Sequence, residues 1–515
     1  MNANLFTALR SAFAVDRDST AIETADGPGA PRFYTWRDLD RASAMIANLL
    51  ASLDLPAQSR IAVQTEKSVE SLMLYLGVLR AGHVYLPLNT AYLAAEIAYF
   101  IGNAEPAVVV CSPKNFSWVS KLAFTAGTGH VFTLGDDTTG TLLERAAQHS
   151  DQQDPAPCRS DDLAAILYTS GTTGRSKGAM LTHGNLLSNA LTLKHYWGWR
   201  TPEQGGDVLI HALPIFHVHG LFVACHGALL NGSKMIWFSR FDPRAAIDRF
   251  SEATVFMGVP TLYTRMLAEP KLTREACSAM RLFISGSAPL LKETHDEWTA
   301  HTGHVILERY GMSETTMITS NPYHATDGER RGGTVGFALP GIQVRIRDDK
   351  GQPLRAGEIG GIEVKGPNVF KGYWRMPEKT AEEFTTDLFF KTGDVGRLDD
   401  TGRLTIVGRS KDLIISGGYN VYPAEIEGAI NEMPGVAESA VVGVAHPDFG
   451  EAVVAVVVPK PGATVDGAAI AADLKARIAN FKVPKQVFVV TDLPRNTMGK
   501  VQKNLLREQH KDLFV

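Results

Sequence analysis

The chain has 515 residues, a formal net charge of −4 and a hydrophobic fraction of 44%. This length favours several domains, or one large domain with an appendage, and the composition supplies ample apolar material for a core. The slightly negative charge excludes a broad basic surface, so we expect no nucleic-acid partner.

Neither the cysteines nor the N-terminus indicates a secreted or membrane protein. The four cysteines lie far apart and form no CxxC pair, which predicts neither a zinc site nor a disulfide framework. The N-terminus lacks the charged segment of a signal peptide, and no run of 18 apolar residues occurs, so we expect no membrane partner. These features predict a cytoplasmic protein with free thiols.

The first part of the chain alternates between helix and strand patterns. Residues 1–60 have a largely helical pattern, and the next segments predict a strand at 60–63, a helix at 68–81, and strands at 84–88 and 107–111. This alternation predicts an α/β fold of layered, largely parallel β-sheets with helices.

A glycine-rich and hydroxyl-rich stretch follows a predicted buried strand at 163–167. It reads Tyr168, Thr169, Ser170, Gly171, Thr172, Thr173, Gly174, Arg175, Ser176, Lys177 and Gly178. Glycines let backbone N–H groups approach oxygen atoms closely, and the hydroxyls and the lysine add donors, so the stretch suits a polyphosphate. It is not a P-loop, because its lysine precedes a glycine instead of following one. From composition alone, a plain Ser/Gly/Thr turn is the alternative.

Two histidines follow in the segment 211–220. On a strand, His217 and His219 would point the same way. Because no third ligand of suitable spacing is evident, we favour binding-pocket or core histidines over a zinc site. Further strands at 254–259 and 281–285 lead into the turn at Gly286, which can lay its backbone against a flat ligand.

The character of the chain changes near residue 408. A polar bridge precedes a segment with many charged positions and with strands predicted at 440–444 and 451–458. We therefore predict a large N-terminal domain at 1–408 and a small α+β domain at 412–515, joined by a polar bridge at 409–411.

Five motifs in this order resemble the adenylate-forming superfamily of acyl-CoA synthetases, peptide-synthetase adenylation domains and luciferases. They are the phosphate loop at 168–178, Arg309-Tyr310-Gly311-Met312-Ser313-Glu314, Thr392-Gly393-Asp394, the hinge motif at 408–427 and Pro494-Arg495-Asn496-Thr497-Met498-Gly499-Lys500. Ser313 stands where the family usually has threonine, which keeps the hydroxyl. The resemblance covers nearly the whole chain.

The resemblance implies a role for each motif in joining a carboxylate to ATP. The residues expected to bind ATP are Thr169, Ser170, Gly171, Thr172, Thr173, Gly174, Lys177, Ser287, Ala288, Tyr310, Ser313, Asp394 and Arg409. Glu314 would hold Mg²⁺, which offsets phosphate charge. Lys500 would bridge the carboxylate and the α-phosphate, so Lys500, Thr173 and Glu314 are the expected catalytic residues. An acetyltransferase that modified Lys500 would remove its charge and switch the enzyme off.

The resemblance also implies a second half-reaction with CoA. The small domain of the family is mobile and rotates about a hinge, which corresponds to residues 409–411 here. The rotation withdraws the lysine and opens a pantetheine tunnel. Lys411 matches the hinge position, and Gly418 would line the tunnel, where a side chain would block a narrow ligand.

Arg309 decides the expected substrate. The acyl pocket of the family corresponds to Arg309, His219, Val218, His217, Gly286 and Met312. An arginine in a desolvated pocket is unfavourable beside an alkyl chain but favourable beside a second carboxylate. The segments around His217 and Arg309 also resemble the malonyl-CoA synthetase branch. The expected activity is therefore ATP-dependent ligation of malonate, with methylmalonate as a second candidate, to CoA.

Several alternatives remain open from the sequence. Arg309 could instead form a salt bridge with Glu308 or another acid on the outer face. Within the same fold, the alternatives are a short-chain or aryl monocarboxylate–CoA ligase, or an adenylation enzyme that loads a carrier protein. In a different class, a non-catalytic nucleotide sensor could retain the fold, but a sensor has no need to keep Lys177, Glu314 and Lys500 together.

Overall fold

The computed structural model describes residues 2–14, 16–26, 31–169, 176–416, 419–496 and 499–514. Within these ranges, fifteen α-helices accompany twenty-five strands in four sheets. The helices are α1 (Leu5–Ser11), α2 (Trp36–Ala51), α3 (Val69–Arg80), α4 (Ala94–Ala104), α5 (Phe116–Thr125), α6 (Thr141–Ala146), α7 (His183–Tyr196), α8 (His226–Leu229), α9 (Pro243–Asp248), α10 (Pro260–Leu267), α11 (Lys292–Thr302), α12 (Pro377–Glu383), α13 (Pro423–Asn431), α14 (Gly467–Arg477) and α15 (Lys503–Gln509).

The strands are short, and most of them span three to seven residues. In chain order they are β1 (Thr20–Thr24), β2 (Phe33–Thr35), β3 (Arg60–Gln64), β4 (Val84–Pro87), β5 (Val108–Cys111), β6 (His130–Thr133), β7 (Leu163–Thr169), β8 (Lys177–Thr182), β9 (Val208–His211), β10 (Lys234–Trp237), β11 (Val255–Gly258), β12 (Leu282–Ser285), β13 (Leu307–Met312), β14 (Thr316–Ser320), β15 (Phe337–Ala338), β16 (Gln343–Arg347), β17 (Gly360–Lys365), β18 (Gly372–Tyr373), β19 (Phe390–Leu398), β20 (Leu404–Arg409), β21 (Ile414–Ser416), β22 (Tyr419–Val421), β23 (Val436–His446), β24 (Gly450–Pro459) and β25 (Gln486–Val489).

Two large sheets with parallel centres build the N-terminal part, as the alternation of elements predicts. The first has the order β18-β8-β7-β4-β3-β5-β6, and the second has the order β15-β14-β13-β12-β11-β9-β10-β1-β2. Strands such as β5 and β11 are buried along their whole length. Continuous apolar strands of this kind are typical of parallel sheets that are covered on both faces. The predicted layered α/β class is confirmed.

The first sixty residues differ from the largely helical prediction. Helices α1 and α2 are present, but β1 and β2 lie between them, and β1 pairs in parallel with β10. The pairing joins Ile22 to Met235, so its partner lies far away in the sequence. Helix α2 begins where a local signal is strong: Thr35 and Asp38 form a capping box, in which each side chain accepts a bond from the other residue's N–H.

The histidine segment is not a strand, which corrects the expectation for His217 and His219. Strand β9 ends at His211, His217 lies in the following turn, and His219 begins a π-helix that runs to Cys225. A π-helix is rare and often marks a functional site. All four cysteines are buried and free.

The third and fourth sheets follow in the last third of the chain. The third sheet, β16-β17-β19-β20, is antiparallel and ends at Arg409. A 3₁₀ turn at Ser410–Asp412 leads to β21, which belongs to the fourth sheet, β22-β21-β24-β23 with β25 beside β24. This smaller sheet and its helices form an α+β C-terminal domain. The exact boundaries and the hinge at 409–411 stay predictions.

Candidate active site

The pairing of β19 with β20 brings together two of the residues predicted to bind ATP. Asp394 and Arg409 face each other across these strands, with Arg409 Nε 3.1 Å from Asp394 Oδ1. Tyr310, on β13, donates its hydroxyl proton to Asp394 Oδ2 at 2.5 Å. Burial and the neighbouring Asp394 hold the pKa of Tyr310 well above its usual value. A tyrosine ring and a carboxylate are thus fixed side by side, which suits a base and its sugar hydroxyls.

The turn after β12 lies beside this group. Gly286 is buried, whereas Ser287 and Ala288 are half-buried. Ser287 has a φ of 72°, a left-handed conformation that is uncommon for a residue with a side chain. A Cβ atom at Gly286 would lie 2.4 Å from Arg309 Nη1, so only glycine lets the guanidinium lie against this backbone.

The phosphate end of the predicted site is formed by the hairpin β7–β8. Thr169 ends β7 opposite Lys177, the first residue of β8. Lys177 Nζ lies 3.4 Å from Glu383 Oε1 and 4.3 Å from the centre of the Tyr373 ring. The predicted ligands Ser170, Gly171, Thr172, Thr173 and Gly174 lie outside the described residues.

Tyr373 connects Lys177 to the predicted magnesium ligand. Its hydroxyl donates to Glu314 Oε1 at 3.0 Å. Glu314 lies in the turn after β13, one residue beyond Ser313, and its burial raises the pKa of its carboxyl group. In the described ranges, no group of three or more His, Cys, Asp or Glu side chains could hold a metal ion. A single carboxylate beside phosphates is nevertheless a common arrangement for Mg²⁺.

Arg309 is a buried cation with no counterion among the residues that the structure describes. Its exposed fraction is 3%, and neither Nε nor Nη2 has a hydrogen-bond partner in the described part of the chain. Burial lowers the pKa of Arg309 to about 9. The alternative salt bridge with Glu308 does not form: Glu308 accepts a bond from the Gly333 N–H, and burial raises its pKa to about 8.

Both predicted pocket histidines lie near Arg309 and are uncharged at neutral pH. Burial, with Lys500 and Arg309 nearby, lowers the pKa of His217 to about 3, and burial and Arg309 hold that of His219 well below its usual value. His219 Nδ1 lies 3.2 Å from Ser287 Oγ, and its Nε2 is buried without a partner in the described structure. When Ser287 donates to Nδ1, Nε2 carries the proton and can donate to an anion.

The remaining predicted pocket residues frame this group. Val218 is buried at the start of the π-helix, and Met312 is half-buried at the end of β13. Ser285, at the end of β12, has a buried hydroxyl without a partner among the described residues. The unpartnered polar atoms of Arg309, His219 and Ser285 therefore belong to residues of one region.

Lys500 approaches the site from the small domain. The backbone N–H of Lys500 donates to Asn496 Oδ1 at 3.0 Å, and Arg495 Nη1 donates to the Gly499 carbonyl at 2.9 Å. These bonds shape the loop that carries Lys500. Gly499 packs against Thr261 of α10. Burial, followed by the charge of Arg409, lowers the pKa of Lys500 to about 8.

Of the two residues predicted for the hinge and the tunnel, the structure describes Lys411. Lys411 is exposed in the 3₁₀ turn between the third and fourth sheets. The next residue, Asp412, accepts a bond from Arg507 of the small domain at 2.5 Å. Gly418 lies outside the described residues.

Sequence reasoning missed Tyr373 and Glu383. Both contact Lys177, yet they lie about 200 residues further along the chain, on β18 and α12. Strand β18 has only two residues and pairs antiparallel with β8. No local periodicity signals so short a strand, so only its Gly-Tyr-Trp composition hinted at it.

The chain belongs to the family of AMP-binding enzymes. The family model for the AMP-binding enzyme matches residues 9–374, and the model for its C-terminal domain matches residues 425–500.

The solved structure of ATP-bound MatB from Rhodopseudomonas palustris is 56% identical, covers 100% of both chains and has a TM-score of 0.95. Its apo structure matches with a TM-score of 0.83. A malonate–CoA ligase from Arabidopsis thaliana is 35% identical over 87% of this chain and 78% of its own. A feruloyl-CoA synthase from Amycolatopsis is 34% identical over 92% and 94%.

These relationships define the class of enzyme. The chain is an AMP-forming acid–CoA ligase that uses ATP and CoA as substrates. Within the described residues, none of the helices is both long and apolar enough to cross a membrane.

Proposed function

We propose that the acid is malonate, with methylmalonate as a second substrate. The enzyme would convert malonate and ATP to malonyl-AMP and pyrophosphate, and then transfer the malonyl group to CoA, giving malonyl-CoA and AMP. The observation that supports this proposal is Arg309, a buried guanidinium whose Nε and Nη2 have no hydrogen-bond partner in the described structure.

The electrostatics of the pocket favour an anionic acyl group. Removing a guanidinium from water without a partner costs several kcal/mol of free energy, and contact with a neutral alkyl or aryl group does not offset this cost. A free carboxylate accepts two parallel N–H bonds from guanidinium nitrogens, which is the strongest geometry available to it. His219 Nε2, also buried without a partner in the described structure, becomes a further donor when Ser287 donates to Nδ1. A dicarboxylate thus satisfies atoms that a monocarboxylate leaves unpaired.

The relatives by themselves do not decide the acid. The Arabidopsis malonate–CoA ligase and the Amycolatopsis feruloyl-CoA synthase have nearly the same identity to this chain. The choice of malonate therefore rests on the residues of the pocket. Feruloyl groups are uncharged at the far end, and a buried, unpaired Arg309 is a poor neighbour for such a group.

The nucleotide would bind along the line from the phosphate hairpin to Asp394. Thr169, Lys177 and the predicted loop ligands would bind the phosphates, and the turn at Ser287 and Ala288 would face Tyr310 across the adenine. Glu314 would hold Mg²⁺ together with the phosphates, a role that suits its buried carboxylate. The ion would offset the negative charge that otherwise repels the incoming carboxylate.

Lys500 would act in the first half-reaction. A malonate oxygen attacks the α-phosphorus, pyrophosphate leaves, and negative charge concentrates between the two reacting groups. Lys500 is a cation whose electrostatic neighbours include Arg309, Arg409 and Glu314, so it would stabilise that charge. Acetylation of Lys500 would remove the charge, which makes an acetyltransferase a proposed regulatory partner.

The second half-reaction would need the small domain to move. The CoA sulfur must reach the carbonyl carbon of malonyl-AMP, and AMP then leaves. We propose rotation about 409–411, with Lys411 in the hinge and Gly418 beside the CoA arm. The higher TM-score against the ATP-bound MatB structure than against the apo structure supports the view that the described arrangement is the adenylation state.

A panel of acids tests the proposal. Malonate, methylmalonate, succinate, propionate and benzoate are each supplied with ATP, Mg²⁺ and CoA, and pyrophosphate, AMP and thiol consumption are measured. We expect kcat/KM for malonate to exceed that for propionate by at least about a hundredfold. Preference for propionate or benzoate would overturn the dicarboxylate assignment. Pyrophosphate release without CoA consumption would favour carrier loading, and no pyrophosphate release from any acid would favour a nucleotide sensor.

A further inference from the structure

Helix α4 contacts the phosphate hairpin at two residues, one on each side of the connection between its strands. Tyr168, immediately before Thr169, donates its hydroxyl proton to Asn103 Oδ1 at 2.5 Å. Tyr99 donates its hydroxyl proton to the carbonyl oxygen of Ser176, immediately before Lys177, at 2.7 Å. The first bond therefore holds the residue before Thr169, and the second holds the residue before Lys177. Thr169 and Lys177 are the two predicted phosphate ligands that lie among the described residues.

The geometry of α4 explains how Tyr99 and Asn103 both reach the hairpin. Tyr99 and Asn103 are four residues apart in α4 and so lie on the same face, one above the other. Phe100, on the same helix, packs against the hairpin, with its ring centroid 4.5 Å from that of Tyr168. The ring of Tyr99 meets that of Tyr168 edge-on at 6.2 Å.

The end of α4 is tied to the same hairpin through a second route. Trp374 donates its ring N–H to the backbone carbonyl of Asn103 at 3.1 Å, and its backbone N–H to the Gly178 carbonyl at 2.8 Å. Trp374 follows Tyr373, which bonds to Glu314 and lies beneath Lys177. The helix, the hairpin and the predicted magnesium ligand thus form one connected unit.

We propose that Tyr99 and Asn103 are positioning residues that hold Thr169 and Lys177 in the geometry required by the ATP phosphates. The inference rests on the proposed role of Thr169 and Lys177 as nucleotide ligands. Phosphate donors stabilise the transition state only when they are already in place, because ordering them during the reaction would cost free energy. Both residues bond to the hairpin, and their effect would reach ATP through it.

Substitutions of Tyr99 and Asn103 should weaken ATP binding and leave the other steps nearly unchanged. Tyr99→Phe removes one hydroxyl and keeps the ring, and Asn103→Ala removes the acceptor for Tyr168. Each variant should raise the KM for ATP roughly three- to tenfold, and the double variant should raise it further. The KM for the acid, and the rate of thioester formation from supplied acyl-adenylate and CoA, should change less than twofold.

Tyr92→Phe is the matched control. Tyr92 packs on the same Phe100 ring, with centroids 4.9 Å apart, and its hydroxyl makes no bond to the hairpin in the described structure. This variant should leave all constants unchanged. Melting temperatures of every variant show whether a loss reflects weakened folding.

Two outcomes would overturn the inference. An unchanged KM for ATP in both the Tyr99 and the Asn103 variants would show that the hairpin needs no support from α4. An equal loss in both half-reactions, together with a lower melting temperature, would assign these residues to the fold alone. Failure of the wild-type chain to release pyrophosphate would instead count against the proposed function, which keeps the two claims distinguishable.

Discussion

Two arginines at neighbouring strands of the second sheet, both with largely buried side chains, differ in what surrounds the guanidinium. Arg281, just before β12, donates two bonds to Asp207, at 2.8 and 2.6 Å, and one to the Trp197 carbonyl. Although burial alone would lower it, Asp207 raises the pKa of Arg281. Arg309, on β13, has no carboxylate within 4.0 Å in the described ranges, and burial lowers its pKa to about 9.

We propose that the difference distinguishes a cation that serves the fold from one that serves a substrate. The desolvation cost of a buried, paired charge is offset by its partner within the protein. For an unpaired buried charge, the rest of the fold must offset that cost. Lys500 belongs to the second kind: no carboxylate of the described residues forms an ion pair with it, and burial lowers its pKa. Substitutions at each kind of site test whether the unpaired cations serve substrates and the paired one serves the fold.

Lys500→Ala should give the largest effect. Loss of a preorganised cation typically costs about 10²–10³ in rate, so adenylation, measured by pyrophosphate release, should become nearly undetectable. Thioester formation from supplied malonyl-AMP should be retained. Lys511→Ala, which removes an exposed lysine of the same domain that pairs with Glu508, is the control. Equal losses in both half-reactions would mean that Lys500 supports the fold.

Arg281→Met should act on stability and leave substrate choice unchanged. The substitution leaves Asp207 buried without its partner, which costs about 3–5 kcal/mol in the free energy of unfolding. Denaturant unfolding measures this loss. The ratio of kcat/KM for malonate to that for propionate should stay within twofold of wild type, and a shifted ratio would remove the distinction between the two arginines.

Gly286→Ala should displace Arg309. The new Cβ would lie 2.4 Å from Nη1, so the guanidinium must move, and the KM for malonate should rise roughly tenfold. Propionate should be affected less. Gly129→Ala is a suitable control, because a Cβ at Gly129 meets nothing within 4 Å. If malonate and propionate weakened together, the glycine would serve the nucleotide and not Arg309.

The smallest effect is a pH dependence from Lys500. Burial lowers its pKa to about 8. The lysine is therefore charged below this pH and loses its charge as the pH rises through it. We expect kcat/KM for adenylation to fall to roughly a tenth of its plateau by pH 9, while thioester formation stays constant. A flat adenylation profile to pH 9.5 would contradict a functional charge at Lys500.

Local sequence patterns predicted much of this molecule. The apolar run of β7 and the lysine of the phosphate hairpin follow from composition, and the order of motifs identifies the family before any contact is known. The adjacency of Arg309 and Tyr310 on one strand places them on opposite faces of the sheet. The arginine then indicates an anionic ligand on one face, and the tyrosine indicates a flat base on the other.

Features that depend on distant pairing were not predictable in the same way. Strand β1 forms only because β10 lies beside it, and Tyr373 reaches Lys177 only because β18 pairs with β8. The π-helix at His219 has no periodic signature that separates it from an ordinary helix. The absence of a partner for Arg309 in the described structure is a property of the assembled pocket, which one sequence does not reveal.

Arg309→Ala, assayed with malonate and with propionate, tests the central claim most directly. Removing the partner of a buried carboxylate costs roughly 3–5 kcal/mol, so kcat/KM for malonate should fall at least about a hundredfold. Propionate should change little or improve, because the pocket becomes neutral. Arg281→Met is run beside it as the paired-arginine control. If malonate and propionate fell together in Arg309→Ala, Arg309 would support the fold or the nucleotide site, and the dicarboxylate assignment would be contradicted.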